Sequence, residues 1–528
     1  MKKLLILLCI PLIIASCATS TKSLAPAPTP ETKSTNVVTP ATYAATITSD
    51  ELKEMLYKYA SDEFEGRETG EKGQKLAVDY LKTKYQDMGI ASPLGDNYFQ
   101  DVPLEKQKVA EAQLSVNGKN FENFKDLIAV AVSESVDILI NEVVYVGYGI
   151  DADNYSDYKG VDVKGKIVLA KAGEPEDVDG NYITSGDKKE TKWTNGRQSL
   201  SSKSQAAMEN GVKGLIYLDE GLFSRYAPYF KRQASSGSAG RLSLKNKEEG
   251  MMMLMVNKNL ATALHSEIMD DNTPKVVNTK LKMTIENNSI NISSENVVAF
   301  IEGSEKPEEI LVISAHLDHE GVKNGKVYNG ADDDGSGTIA ILEIAEAFKT
   351  AQLAGDAPKR SILFLHVTGE EKGLLGSRYY TDMNPIFPLK NTVANLNIDM
   401  IGRIDPKRKE GSRNYVYLIG SDKLSSDLHN LSEEVNKKYT NLELDYTYND
   451  ENDPNRYYYR SDHYNFAKNN VPVIFYFNGT HADYHKDTDT PDKIEYDLLE
   501  NRTRLVFHTA WEIANREERI VVDKTSEQ

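Results

Sequence analysis

The chain has 528 residues, 40% of them apolar, and a formal net charge of −18. This length exceeds one ordinary domain and allows two globular units with real cores. The acidic balance argues against nucleic acid and anionic membrane surfaces as partners, and an acidic surface serves solubility outside the cell.

The first segment, "MKKLLILLCIPLIIASC", places Lys2 and Lys3 before an apolar run that ends in Ile14-Ala15-Ser16-Cys17. The run is too short and too early for a comfortable spanning helix, and reads as a signal peptide over residues 1–17. Small residues just before a cysteine resemble a bacterial lipoprotein box. That resemblance implies cleavage before Cys17, lipidation of its sulfur, and an exported protein held at the cell envelope through the lipid alone. Cys9 and Cys17 are the only cysteines. The mature chain therefore forms no internal disulfide, zinc–thiolate site or cysteine nucleophile, and its chemistry falls to His, Asp, Glu, Ser, Tyr and Lys. Residues 18–46 are rich in Ser, Thr, Pro and Ala without apolar period, and are expected to be a flexible tether.

Residues 47–137 open a globular unit with two amphipathic helical stretches around a glycine-punctuated loop. From 138 to 285 the character changes. "NEVVYVGYGI" alternates like a strand, "VKGKIVLAKAG" follows a Lys-Gly turn like a buried strand, and "SSKSQAAMENGVKGLIYLDE" reads as a helix, a stop at Gly211 and a strand. This is expected to be an inserted α/β module. Residues 286–528 repeat strand, loop and helix. "NVVAFIEG", "EILVISAH", "SILFLHV", "TVANLNID" and "VPVIFYFN" are short apolar runs, and "GTIAILEIAEAFKTAQ" and "LLENRTRLVFHTAWEIANREE" are amphipathic. The alternation predicts an α/β fold with a mostly parallel central sheet covered by helices on both faces.

In such sheets, ligands collect beyond the carboxyl ends of the strands. "EILVISAH" ends in His316, with Asp318 two residues on; "SILFLHVTGEE" ends in Glu370-Glu371; "TVANLNID" ends in Asp399. The loop after "VPVIFYFN" carries His481, Asp483, Tyr484 and His485, and "NGADDDGSG" brings Asp332, Asp333 and Asp334 to the mouth of a helix. A lone aspartate at a strand end is usually a turn former or helix cap. Imidazoles and carboxylates meeting at several ends of one sheet, with no basic residue at those positions, suit zinc or a neighbouring divalent ion; calcium would not need histidine. Five ligands are too many for one tetrahedral ion with an open position and suit two ions that share a carboxylate. Adjacent Glu370 and Glu371 diverge, so one can bind metal while the other serves as general base. The glycines of "NGADDDGSG" do not make a phosphate loop, because three carboxylates occupy it and no Lys-Ser/Thr follows. The EF-hand spacing and the Gly-X-Ser-X-Gly elbow are both missing.

Taken together, His316-Leu317-Asp318, Gly330 to Gly337, Gly369-Glu370-Glu371, Asn397 to Gly402, Arg460-Ser461-Asp462-His463 and Tyr484-His485 resemble the zinc aminopeptidase and glutamate carboxypeptidase family. The match runs over about residues 290–515, with "DEFEGRETGEKGQKLAVDYL" upstream. The insert looks like a protease-associated domain. The resemblance implies two zinc ions per subunit, one held by His316, Asp333 and Asp399 and the other by Asp333, Glu371 and His485, with Asp333 bridging. It implies attack by a metal-bridged hydroxide on a peptide carbonyl, Glu370 as the base, Tyr484 as an oxyanion donor and Asp318 behind the histidine ligand. It favours His485 over His481 as ligand, and leaves His319 and His463, with His265, His366, His429 and His508, in packed or surface roles. An aminopeptidase is the expected activity. Dipeptidase or carboxypeptidase action, the single-zinc glutaminyl cyclases and a metal-free receptor-like relative are the alternatives, and the complete ligand set disfavours the last two. The 403–412 and 440–460 loops are candidate walls of the substrate pocket.

Overall fold

A computed structural model describes residues 39–236, 240–245 and 250–524. Cys17 and the signal peptide lie outside them. The expected tether to residue 46 is too long. Pro40–Ala44 is helical, and Tyr43 and Ala44 are buried. The Tyr43 ring stacks on Trp511 at 5.5 Å and its hydroxyl donates to Asp356 at 2.5 Å. One aromatic anchor is enough to order a segment whose composition otherwise reads as linker.

The nine strands of the central sheet are β1 (Phe99–Lys106), β2 (Leu242–Leu244), β3 (Ile290–Ile301), β4 (Lys306–His316), β5 (Arg360–Val367), β6 (Thr392–Ile398), β7 (Tyr415–Ile419), β8 (Glu443–Asp445) and β9 (Val473–Phe477). Their order is β2-β1-β3-β5-β4-β6-β9-β7-β8. The centre, β5-β4-β6-β9, is parallel. The flanks are antiparallel where β3 meets β5, β1 meets β3 and β7 meets β9, so the sheet is mixed around a parallel core. The central strands are near-continuous Val, Ile, Leu and Phe runs and are buried along almost their whole length, as strands covered on both faces must be. Because these four run the same way, their carboxyl ends reach one edge.

Helices close both faces. On one side lie α1 (Ser49–Tyr59), α2 (Lys72–Asp87), α3 (Gly337–Ala354) and α4 (Tyr496–Asn515), packed against Leu311, Ile313, Phe364, Leu396 and Ile474. In α1 the Thr48 side chain accepts from the Glu51 N–H, Asp50 and Glu51 fill the first turn, and Leu52, Met55, Leu56 and Tyr59 form the buried stripe. Helix α3 is apolar nearly all round, is buried, and stops at Gly355 with φ +95. The other face packs Val298, Val312, Leu363 and Leu365 against Tyr380 and Phe466.

The second sheet has eight strands. It draws on segments from Glu111–Val116 to Lys275–Glu286, so it starts ahead of the expected boundary at 138. Ala112, Leu114 and Val116 alternate into the same core as Val143, Leu169, Ile216 and Leu254, and this period-two burial is what commits them to that sheet. One short piece, β2, leaves the insert's sequence and pairs with β1.

Candidate metal centre

His316 is the last residue of β4, and its Nε2 lies 3.1 Å from Asp333 Oδ1 and 3.8 Å from Asp399 Oδ1. Asp399 follows β6 directly, and its Oδ2 accepts from the Ser461 hydroxyl at 2.6 Å. The other oxygen of Asp333, Oδ2, is 3.1 Å from His485 Nε2, which is also 3.1 Å from Glu371 Oε2. Two donor triplets thus share Asp333: His316, Asp333 and Asp399 on one side, and Asp333, Glu371 and His485 on the other. Two donors on one zinc ion with bonds of ~2.1 Å can stand no more than ~4.2 Å apart, and every spacing above meets that limit.

The electrostatics fit a cation. His316 Nε2 and Asp333 Oδ2 are buried without a hydrogen bond. Among the described residues, the only ion-pair partners of Asp333, Asp399 and Glu371 are histidines. Burial alone would push His316 and His485 down; the facing carboxylates instead hold His316 well above the usual range and His485 at about 9. The carboxylates lack other counter-charge, which a divalent ion would supply. Glu370 is pushed well above the usual carboxylate range by burial, with Glu371 and Asp399 adding to the shift against the opposing His316.

Of the three consecutive aspartates, the middle one faces the centre. Asp334 also comes near His316 and Asp399, but its oxygens accept from the N–H groups of His316, Gly337 and Met400. Asp332 accepts from the Gly402 N–H at 2.6 Å and faces His481 at 3.2 Å. His481 therefore belongs to a support layer with Asp332 and Asp489, and Asp489 Oδ2 accepts the N–H groups of Asp332 and Asp333 at 3.0 and 3.2 Å.

Asp318 differs from its expected role. The His316 Nδ1–H donates to the main-chain oxygen of Asp318 at 3.0 Å, whereas the carboxylate stands 4.0 Å away. The carboxylate accepts instead from the Thr69 hydroxyl at 2.7 Å and from the Glu370 N–H at 3.1 Å. It positions the glutamate pair, and a carbonyl orients the imidazole.

Glu370 lines a cavity of about 30 Å³ with Asp333, Asp399, Met400, Tyr457, Arg460 and Tyr484 among its walls. Glu371 turns away toward His485, so the adjacent pair diverges. Tyr484 stacks on His485 at 3.9 Å, and burial, reinforced by Asp333 and Glu371, raises its phenol. The 440–460 loop supplies Tyr457 and Arg460 to this wall, and no residue of 403–412 is among its lining. His463 is buried, stacks on Phe475 at 4.6 Å and is pushed down to about 3 by burial, as a packed histidine is. His366 meets the Tyr85 hydroxyl at 2.7 Å.

Sequence reasoning gave no role to four supports: Arg67, Thr69, Ser461 and Asp489. Arg67 is fully buried and donates to the carbonyl oxygens of Leu317, Asn329 and Gly330. Ser461 and Asp489 carry no pattern of their own, although Ser461 lies inside a quoted motif.

Residues 296–510 match the model of Peptidase family M28. This part of the chain is similar to that family. A probable leucine aminopeptidase of Trichophyton verrucosum is 31% identical over 220 residues, 40% of this chain and 55% of that protein. The aminopeptidase YwaD of Bacillus subtilis is 32% identical over 155 residues, 26% of this chain and 31% of its own. The chain thus spans about half, or less, of the length of these curated relatives. A solved aminopeptidase from Aneurinibacillus sp. strain AM-1 aligns over 92% of this chain and 98% of that one, at 18% identity and a TM-score of 0.45. The matched stretch contains all five donors described above.

Proposed function

We propose that the chain is a zinc exopeptidase, and specifically an aminopeptidase that holds two ions. The observation that carries this is the position of Asp333, with one oxygen 3.1 Å from His316 and the other 3.1 Å from His485. His316, Asp333 and Asp399 would hold one ion and Asp333, Glu371 and His485 the other. Zinc bound there supplies Lewis acidity to the scissile carbonyl and lowers the pKa of water. Glu370, as the buried carboxylate, takes a proton from the attacking water and gives it to the leaving amine. Tyr484, kept as a phenol, donates a hydrogen bond to the oxygen on which negative charge develops.

The names of the similar proteins favour aminopeptidase action. Apart from Asp333 and Asp399, whose charge the two ions would offset, the cavity wall holds one acid, Glu370, and one cation, Arg460. Arg460 is also the one observation that favours a second reading, a dipeptidase or carboxypeptidase that binds a terminal carboxylate. A lipid anchor at Cys17 and a protease-associated role for the second sheet complete the proposal; both rest on sequence resemblance.

The test is a panel of aminoacyl anilides and peptides, each free and N-acetylated, with and without chelator, alongside zinc content by mass spectrometry. Cleavage of the free forms alone, lost with chelator and restored by zinc, is the expected result. Equal cleavage of acetylated substrates overturns the aminopeptidase assignment, and chelator-resistant cleavage overturns the metal reading.

A further inference from the structure

The donors of the centre do not stand alone; most are fixed by a partner on the side away from it. His316 is fixed by the Asp318 carbonyl, Asp399 by the Ser461 hydroxyl, and Asp333 through its N–H by Asp489. Glu371 needs such a partner most. Its terminal torsion is broad, and its Oε2 faces His485, whose side chain is 34% exposed. The atom that meets Glu371 on the other side is His319 Nδ1, 2.9 Å from Oε1.

His319 is placed with unusual constraint. It is fully buried. Its N–H donates to the Arg67 carbonyl at 3.2 Å, and it forms a bridge with Glu68. Its ring lies so close to Gly330 that a Cβ there would come within 2.5 Å of it. The ring is T-shaped to His485 at 5.8 Å, and Nδ1 is 3.9 Å from Asp333 Oδ2. The same atoms admit another arrangement, since His319, Asp333 and Glu371 together offer donors within 4.8 Å of one another. The shortest contact decides between them. Nδ1 lies 2.9 Å from Glu371 Oε1, neither atom has another hydrogen-bond partner among the described residues, and a small turn of the ring aligns the N–H on that oxygen; His485 already occupies the facing side of Asp333 and Glu371.

We propose that His319 is a positioning residue for Glu371: its Nδ1–H donates to Oε1, which fixes the carboxylate plane and leaves Oε2 as the single oxygen presented to the metal. This rests on the two-ion reading above. It predicts that His319 sets the affinity of one site, the one with Glu371 and His485, and leaves the other nearly untouched. Loss of a partner that orients a ligand costs 10–100-fold in metal affinity.

The experiment is calorimetric titration of zinc into metal-stripped protein, for wild type, His319→Leu and His319→Asn, with cobalt absorption spectra of each. Asparagine can donate an N–H from near the Nδ1 position; leucine fills similar space without a donor. Wild type is expected to bind two ions. His319→Leu weakens one step 10–100-fold and leaves the other within twofold, with an altered cobalt spectrum, and His319→Asn recovers most of the loss and the wild-type spectrum. If the leucine variant does not fold, His319→Ala gives the same readout without overpacking. Unchanged affinities in the leucine or alanine variant overturn the proposal. So does an asparagine variant as weak as leucine with an altered spectrum, which makes His319 itself a ligand. A wild-type chain that takes up no zinc overturns the two-ion reading and this proposal with it.

Discussion

Arg67 donates from Nη2 to the carbonyl oxygen of Gly330 at 2.9 Å. The same guanidinium reaches Leu317 and Asn329 at 3.0 and 2.6 Å and stacks on the Tyr59 ring at 4.6 Å. One buried cation therefore ties the end of β4, which carries His316, to the turn that carries Asp333. Among the described residues no carboxylate pairs with it; its charge is solvated by peptide oxygens. Replacing it with lysine keeps the charge but loses the fork. Arg67→Lys is expected to cost about 2 kcal/mol, and Arg67→Met about 3 kcal/mol or more because buried carbonyls are left without donors. Denaturant unfolding measures both, and zinc content should fall in parallel.

Glu370→Gln is expected to retain metal and fold while turnover drops by about 10²–10⁴-fold, the range for loss of a general base. Metal analysis and steady-state kinetics on one preparation check it. Full activity in that variant assigns proton transfer to another group.

Asp333→Ala removes both oxygens of the shared carboxylate, so both zinc steps should weaken in a titration of the metal-stripped protein. Asp332→Ala should spare metal stoichiometry more, since Asp332 faces His481 and the Gly402 N–H. Equal loss in the two variants makes the middle aspartate no more important than its neighbour.

Glu343 lies inside α3, 2% exposed, with Oε1 lacking a partner. Burial, then the charges of Glu51 and Glu346, raise it from 4.5 to about 8. A raised folded-state pKa gives stability that is fully present below the unfolded value and is lost as pH climbs through the folded one. Between pH 4.5 and about 8 the loss approaches about 1.4 kcal/mol per pH unit at its steepest. Glu343→Gln should therefore gain stability over wild type at pH 8 that it does not have at pH 4. Unfolding curves at the two values decide; an equal difference at both rules out the titration.

The edge of the sheet was legible because parallel strands share a direction. Once "EILVISAH", "SILFLHV", "TVANLNID" and "VPVIFYFN" read as neighbours, His316, Glu371, Asp399 and the His485 loop had to meet at one edge, and they do. The layer behind them was not legible. Arg67, Thr69 and Asp489 act largely through main-chain groups or across long stretches of sequence, and such bonds leave no period or spacing. Asp318 shows the limit well: its type was informative, but which of its oxygens faces His316 depends on the backbone after β4. The start of the second sheet at Glu111 and the anchoring of Tyr43 were missed for a related reason. Both turn on tertiary burial of short segments whose composition is ambiguous.

The His481–Asp489 loop has a consequence for the order in which the molecule can be completed. It delivers His485 to the centre and, through Asp489, holds the peptide N–H of Asp333, a residue 156 positions earlier. A chain that ends before this loop lacks one donor, the clamp on the shared one and helix α4 over the sheet. The centre therefore closes only once residue 489 has been made, and chains cut short of it have no complete site with which to hold a metal ion.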